Sequence, residues 1–181
     1  MKTIIGISGS LRKESFNTTL LRSAKDFIPE GYSFEFVELG GIPLYNDDLA
    51  LENPPSDVTA FRESVENAGG ILIATPEYNH SVTGVLKNAI DWASTSSLGN
   101  VLNEKPTAIM GASKGIFGTA RSQMHLRQVL LATNSFVVQR PEVYVPSAGS
   151  KIDENGVLVD AYGLEKIHQL VSALVELIEQ S

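Results

Sequence analysis

Apolar residues along this chain follow two periods that alternate from one segment to the next. Residues 3–7, 70–75 and 106–111 are short, nearly continuous apolar runs bounded by glycine, proline or polar residues. Such runs are typical of strands that are buried on both faces of a parallel sheet. After the second run, apolar residues recur three and four positions apart, at Val82, Val85, Leu86, Ala89, Ile90 and Ala93. That spacing predicts one face of an α-helix.

The same pattern over the whole chain predicts strands that alternate with helices. We predict strands at residues 3–7, 33–39, 70–75, 106–111 and 136–139, and helices at residues 18–28, 57–67, 82–94 and 119–132. The apolar stripe of a final helix is formed by Leu164, Ile167, Val171, Leu174 and Ile178. Residues 40–56 are predicted to form a long loop. This alternation favours an α/β fold with a doubly wound parallel sheet of five strands, and the absence of a linker or repeat favours a single domain over residues 1–181.

Three predicted loops should meet at one edge of that sheet. They follow Ile7, Ala74 and Met110, and each leads from a strand towards a helix. Because strand–helix–strand connections are right-handed, the three loops are expected at the carboxyl edge, where open α/β proteins bind their ligands. The sequence therefore predicts a pocket built from these loops.

Composition narrows the classes of protein that remain. The 181 residues are 43% apolar and 19% charged, as in an ordinary globular protein, and no apolar run approaches the roughly 20 residues of a membrane span. Without a signal-peptide pattern we expect a cytoplasmic protein that does not act at a membrane. The absence of cysteine excludes disulfides, a thiolate nucleophile and cysteine metal ligands, and we predict no metal site. A net charge of −7 with scattered basic residues argues against nucleic acid as a partner.

The first loop has the residues that a phosphate group requires. It offers the hydroxyls of Ser10, Ser15 and Thr18, the amide of Asn17 and the guanidinium of Arg12, just before a predicted helix. A helix N-terminus with hydroxyl donors and an arginine binds a phosphate dianion well. The alternative is a polar loop in which Asn17 is only the helix N-cap. The loop matches neither the P-loop pattern nor Gly-x-Gly-x-x-Gly.

The second loop places exposed backbone N–H groups before a helix. Pro76 restricts the turn, and Glu77, Tyr78 and Asn79 follow it. A helix N-terminus favours an anion or a group that gains negative charge. The alternative is a surface tyrosine at position 78 and, at position 77, a carboxylate that stabilises a helix start. We expect His80 to be a polar neighbour of the site rather than a catalyst, and Asp91 and Trp92 to serve packing or subunit contact rather than chemistry.

The third loop supports a competing hypothesis. Residues 111–115 match Gly-x-Ser-x-Gly, the nucleophile elbow of α/β hydrolases, with Ser113 as the nucleophile. Asp153 or Asp160 and then His168 would complete a triad in the expected order. Against a hydrolase, residues 116–118 separate the serine from the predicted helix, His168 lies within the amphipathic final helix, and the chain is short for that fold.

Residues 76–92, P-E-Y-N-H-S-V-T-G-V-L-K-N-A-I-D-W, resemble the signature of the NAD(P)H-dependent FMN reductase family. Residues 9–17 resemble that family's phosphate loop, G-S-L-R-x-x-S-x-N. The family includes bacterial quinone, azo-dye and chromate reductases. The resemblance implies a flavodoxin-like, three-layer fold that binds FMN noncovalently.

The resemblance also implies roles for particular residues. The residues that would bind the FMN phosphate are Ser10, Arg12, Ser15 and Asn17. The residues that would lie beside the isoalloxazine are Pro76, Glu77, Tyr78 and Asn79. The residues that would lie beneath the flavin are Ser113, Gly115 and Gly118. The third loop departs from the family pattern at Lys114 and at Thr119, where many relatives have glycine.

The function that the resemblance implies is an FMN-dependent NAD(P)H oxidoreductase with a ping-pong mechanism. NADPH or NADH would reduce FMN at N5, and a quinone, azo compound, free flavin or metal oxyanion such as chromate would then accept the electrons. No catalytic side chain is needed, because the cofactor supplies the chemistry. A homodimer or homotetramer is expected. The alternative from another class is a flavodoxin-like electron carrier that does not oxidise nicotinamide.

Overall fold

The computed structural model of the protein describes residues 1–181 and consists of strands that alternate with helices. The strands are β1 (Lys2–Ser8), β2 (Tyr32–Val37), β3 (Gly70–Ala74), β4 (Pro106–Ala112), β5 (Phe136–Val137) and β6 (Val143–Val145). The helices are α1 (Phe16–Lys25), α2 (Asp47–Glu52), α3 (Ser56–Asn67), α4 (Gly84–Ser94), α5 (Ala120–Ala132) and α6 (Ala161–Gln180). A short 3₁₀ turn, Ala148–Ser150, precedes α6.

The strands form one parallel sheet in the order β2-β1-β3-β4-β5. The predicted doubly wound sheet of five strands is confirmed. β5 pairs with the first residues of β4, whereas β6 pairs with its last residues, from Met110 to Ala112. β5 and β6 are therefore two pieces of one edge strand, separated by residues 138–142.

Successive residues of the central strands face opposite sides of the sheet, and helices cover both sides. On one side, Ile4, Leu72 and Met110 pack in the same cluster as apolar residues of α1 and α6. On the other side, Ile5 and Ile73 belong to the cluster that includes residues of α3, α4 and α5. All five residues of β3 are buried. This two-sided burial explains why the runs are continuously apolar rather than alternating.

Several predicted boundaries were wrong for local reasons. Helix α2 lies inside the predicted loop of residues 40–56, and the Asn46 side chain caps it by accepting from the N–H of Asp48 at 3.0 Å. Helix α1 begins at Phe16 instead of residue 18 because Ser15 is its cap. Helix α4 begins at Gly84 instead of residue 82, after the Thr83 cap. β6 was not predicted, since three residues are too short a pattern to recognise.

The helices of the fold differ from membrane spans. None of them is both long enough and apolar enough to cross a bilayer.

Candidate functional site

The loops after β1, β3 and β4 meet at the carboxyl edge of the sheet and enclose a cavity of about 170 Å³. We refer to this cavity as the three-loop pocket. Eight residues predicted for the site line it: Ser10, Arg12, Ser15, Asn17, Pro76, Glu77, Tyr78 and Ser113. Phe16, Ala112 and Lys114 complete its lining. Four other predicted residues, Thr18, Asn79, Gly115 and Gly118, are not part of the lining.

Two contacts hold the loops against one another. The Asn17 side chain, only 3% exposed, donates to the Ala112 carbonyl at 3.1 Å and accepts from the Ala112 N–H at 2.9 Å. The Thr83 hydroxyl donates to the Gly9 carbonyl at 2.7 Å. A Cβ atom on Gly9 would lie 3.0 Å from Cδ of Pro76, so glycine permits this close approach of the first and second loops.

The first loop presents unpaired donors at the start of α1. The Ser15 hydroxyl accepts from the Thr18 N–H at 3.4 Å, which makes Ser15 the N-cap. The backbone N–H groups of Ser15, Phe16 and Asn17 have no hydrogen-bond partner within the chain. Arg12 is exposed, makes no ion pair, and lies with its guanidinium carbon 5.1 Å from the Phe16 ring centroid. Free N–H groups at a helix N-terminus beside an arginine can bind a phosphate group.

The side chains of Asn17 and Thr18 are hydrogen-bonded within the protein. The interpretation of Asn17 as the N-cap was wrong, since Ser15 fills that position. The Asn17 amide is fully occupied by Ala112, so only its backbone N–H remains for a ligand. The Thr18 hydroxyl donates to the Ser8 hydroxyl oxygen at 3.0 Å. Thr18 lines a separate cavity beside β2, which Phe36 and Val37 also line.

In the second loop, the Glu77 carboxylate caps the N-terminus of α5. It accepts from the N–H of Arg121 at 3.0 Å, from the N–H of Ser122 at 3.3 Å, and from Nη1 of Arg121 at 2.8 Å. Burial raises the pKa of Glu77, but the hydrogen bonds from Arg121 and Ser122 and the Arg121 charge outweigh burial and hold the pKa below its usual value. The negative charge of Glu77 therefore stabilises the N-terminus of α5, and not the N-terminus of α4, the next helix along the chain.

The second loop continues in a tight turn. Tyr78 and Ser81 exchange backbone hydrogen bonds of 3.1 and 3.0 Å, and Asn79 and His80 between them have φ values of 50° and 64°. Asparagine tolerates this left-handed conformation better than most residues. The turn leaves Tyr78, which lines the pocket, 56% exposed, and Asn79 follows it just outside the lining.

The third loop is fixed to β6 and to α5. The Ser113 N–H donates to the Val145 carbonyl at 3.1 Å. Gly118, with a φ of 54°, packs so closely on β6 that a Cβ atom would lie 3.0 Å from the nitrogen of Val145. Thr119 has a φ of 73°, a conformation that glycine adopts without strain, and its hydroxyl accepts from Nε2 of Gln123 at 3.1 Å. The departure from glycine at position 119 therefore keeps the backbone conformation that glycine favours.

The hydrolase hypothesis is not supported by the positions of its residues. The His168 ring stacks on Phe27, with centroids 4.9 Å apart, beyond the end of α1 and hence at the opposite edge of the sheet from Ser113. Asp160 caps α6 and pairs with Lys151 at 3.1 Å. The Ser113 hydroxyl donates to the Gly115 carbonyl at 3.3 Å instead of contacting a histidine.

The sequence interpretation missed residues that support the pocket. Arg121 binds Glu77, and its guanidinium carbon lies 4.0 Å from the Phe117 ring centroid, so it joins the second and third loops to α5. No local pattern marks this role, because Glu77 and Arg121 are far apart along the chain. Lys114 was noted only as a departure from a family pattern, yet it lines the pocket beside Arg12.

Comparisons with known proteins agree in their assignment. The model of the NADPH-dependent FMN reductase family matches residues 2–150. A NAD(P)H-dependent FMN reductase of Pseudomonas aeruginosa is 48% identical over 172 residues, which are 94% of this chain and 92% of that protein. A 2-hydroxy-1,4-benzoquinone reductase of a Burkholderia species is 44% identical over 153 residues, 84% of this chain and 83% of that protein. A flavoenzyme NAD(P)H:(acceptor) oxidoreductase of Paracoccus denitrificans has a similar structure, with a TM-score of 0.90 and 33% identity, covering 99% of this chain and 98% of that chain.

Substitution of Glu77 tests the cap of α5. We expect Glu77→Gln to lower the free energy of unfolding at pH 7 by about 1–2 kcal/mol, because a charged acceptor is lost from a helix N-terminus. Since the folded-state pKa is lowered, this contribution is complete above the unfolded pKa of about 4.3 and is lost as the pH falls through the folded value. Urea unfolding of both proteins from pH 7 to pH 3 measures the difference.

The matched control is Asp91→Asn. It removes the partly exposed Lys87–Asp91 pair and should change the unfolding free energy by less than about 0.5 kcal/mol. A difference between the Glu77→Gln variant and the parent protein that stays constant down to pH 3 would contradict the role of the ionised carboxylate.

Proposed function

Because the chain belongs to the family of NADPH-dependent FMN reductases, we propose that its three-loop pocket holds FMN and that quinones are its electron acceptors. The protein is an FMN-dependent NAD(P)H oxidoreductase. The observation that carries the proposed site is the set of unpaired N–H groups of Ser15, Phe16 and Asn17, with Arg12 beside them. These groups match the phosphate of FMN in charge and in hydrogen-bonding capacity.

The pocket also offers groups for the polar edge of the isoalloxazine, and because its volume of about 170 Å³ is smaller than FMN, the rest of the ring would lie at its open mouth. Pro76, Glu77 and Tyr78 line the pocket together with the first loop, and the N–H of Glu77 makes no hydrogen bond within the chain. We propose that the backbone of residues 76–79 binds the polar edge of the isoalloxazine and that the third loop, with Ser113, lies beneath the ring. Gly115 and Gly118 would act through the shape of that loop, because neither lines the pocket.

When bound, FMN supplies the group that accepts hydride from the nicotinamide and passes electrons on. The protein residues bind and orient. Arg12 and the N-terminus of α1 neutralise the phosphate, and the contact between Asn17 and Ala112 keeps the first loop against the third. Glu77 is ionised and already accepts three hydrogen bonds, so it has no free proton to donate. We therefore assign no acid or base among the lining residues.

The choice of quinones rests on the relatives, among them the benzoquinone reductase of a Burkholderia species. Tyr78 lines the pocket and is exposed, and the exposed side chains of Ile116 and Phe117 lie on the third loop, so the loops of the pocket carry apolar surface that suits a flat quinone. Azo compounds, free flavin and chromate are further acceptors that we propose on the family resemblance alone. A flavodoxin-like carrier would bind FMN equally well but would not oxidise a nicotinamide.

We also propose that residues 1–181 act as one FMN-binding domain and assemble as a homodimer or homotetramer. The exposed apolar residues Tyr78, Ile116, Phe117 and Met124 support such an assembly. They lie on the second loop, the third loop and α5, which Arg121 joins through Glu77 and Phe117, and exposed apolar surface is typical of an interface. We propose a cytoplasmic location, which agrees with a nicotinamide donor that is held inside cells. No nucleic acid or membrane is among the proposed partners.

Anaerobic absorption spectroscopy tests the function. The purified protein is reconstituted with FMN, mixed with NADPH or NADH, and then given benzoquinone. We expect the flavin bands to bleach on addition of the donor and to return with the quinone. Bound flavin that does not bleach with either donor would identify an electron carrier, and failure to bind FMN would contradict the proposed function altogether.

Substitution of Arg12 tests the phosphate assignment. We expect Arg12→Ala to weaken FMN binding at least about tenfold, because a charged hydrogen bond to the phosphate is lost. Arg12→Lys should fall between this variant and the parent protein, since lysine keeps the charge without the bidentate geometry. Quenching of FMN fluorescence measures the affinity without any donor present. An affinity that Arg12→Ala leaves unchanged would refute the assignment.

A further inference from the structure

A second and larger cavity lies outside the three-loop pocket. It has a volume of about 440 Å³ and is enclosed by the first loop, α1, Lys114 and residues 152–156. We refer to it as the outer cavity. Its volume is in the usual range of small-molecule sites. It adjoins the three-loop pocket, because Arg12, Phe16 and Lys114 line both.

The outer cavity collects cations that have no partner. Arg12, Lys13, Arg22 and Lys114 line it. None of the four takes part in an ion pair, and none donates a side-chain hydrogen bond. Most basic side chains elsewhere in the protein have a partner. Those that pair with carboxylates are Lys2, Lys87, Arg121, Arg140 and Lys151. Those that donate to backbone carbonyls are Arg62, Lys105 and Arg127. In a protein with a net charge of −7, this local excess favours an anion.

The far wall of the cavity is an ordered turn. The Asp153 N–H donates to the Val157 carbonyl at 2.9 Å, and the Thr19 hydroxyl donates to the Gly156 carbonyl at 3.2 Å, which ties the turn to α1. The Asp153 carboxylate accepts from the N–H groups of Asn155 and Val157 at 3.0 and 2.9 Å. Its charge is therefore partly balanced within the turn. The other carboxylates of the lining, Glu14 and Glu154, are exposed to solvent, as the four cations are, so screening weakens both kinds of charge and the lining keeps one more cation than it has carboxylates.

FMN alone does not account for these cations. It carries one phosphate, for which the N-terminus of α1 and Arg12 already provide donors in the three-loop pocket. Lys13 and Arg22 line the outer cavity and also the cavity beside β2, but not the three-loop pocket. They are suited to a second phosphate on a molecule that reaches the flavin from outside. Phe16 and Ile152, the apolar residues of the lining, offer a surface for a purine ring.

We propose that the outer cavity binds the adenosine 2′-phosphate of NADPH, and that Arg22 and Lys13 make the enzyme prefer NADPH to NADH. The 2′-phosphate is a monoester dianion that NADH lacks, so cations that bind it raise the affinity for NADPH alone. This inference rests on the proposed function, because it assumes that the donor reduces FMN in the adjoining pocket.

Calorimetry on the FMN-loaded protein tests binding without turnover. Adenosine 2′,5′-bisphosphate should bind the parent protein at least about tenfold more tightly than adenosine 5′-monophosphate. Arg22→Ala and Lys13→Ala should each remove most of that difference. Lys25→Ala is the matched control, since it removes another exposed cation of α1 that does not line the cavity, and it should preserve the difference. Equal binding of the two nucleotides by the parent protein would overturn the inference.

Kinetics separates this inference from the proposed function. The ratio of kcat/KM for NADPH to kcat/KM for NADH should fall about tenfold in Arg22→Ala and recover in part in Arg22→Lys. A parent protein whose flavin bleaches equally well with both donors overturns the inference and leaves the proposed function intact. A change confined to an anionic acceptor such as chromate, with the donor ratio unaltered, also overturns it. Failure of both donors to bleach the flavin would overturn both.

Discussion

The paired hydrogen bonds between the Asn17 side chain and the backbone of Ala112 are the contact on which the site depends. They join the first turn of α1 to the end of β4, and they are buried. Loss of either partner would leave unsatisfied polar groups in the interior, which costs about 1–3 kcal/mol for each group. Because the amide joins α1 to the end of β4, it fixes where the free N–H groups of α1 lie relative to the third loop. The phosphate-binding geometry is thereby built before any ligand arrives.

The charge distribution reconciles an acidic protein with phosphorylated ligands. The carboxylates of Glu77, Asp160 and Glu142 are paired with neighbouring cations, whereas the cations around the first loop are not. Net charge mainly affects solubility and long-range repulsion, while a bound phosphate responds to the groups within a few ångströms. The free N–H groups of α1 add positive potential without adding a titratable group. An anion can therefore bind at one edge of the sheet despite the overall charge of −7.

The features that were predictable from the sequence are those encoded by neighbouring residues. The buried run of β3 and the apolar face of α4 are local patterns, and so is the polar loop before α1. Features that were missed depend on residues distant in the chain. β6 forms only because β4 offers it a partner, and the pairing of Glu77 with Arg121 becomes visible only when α5 packs beside the second loop. Asn17 illustrates the limit: its position next to the phosphate loop was predictable, but its engagement by Ala112 was not.

Amide hydrogen exchange in the presence of FMN or riboflavin tests the central claim that the three-loop pocket holds the cofactor. Riboflavin is the matched ligand because it has the same ring and lacks the phosphate. We expect FMN to slow exchange in residues 10–18, 76–80 and 113–119, and riboflavin to slow it in the second and third loops but not at the start of α1. Protection by FMN confined to other parts of the chain, or equal protection of α1 by both ligands, would contradict the account.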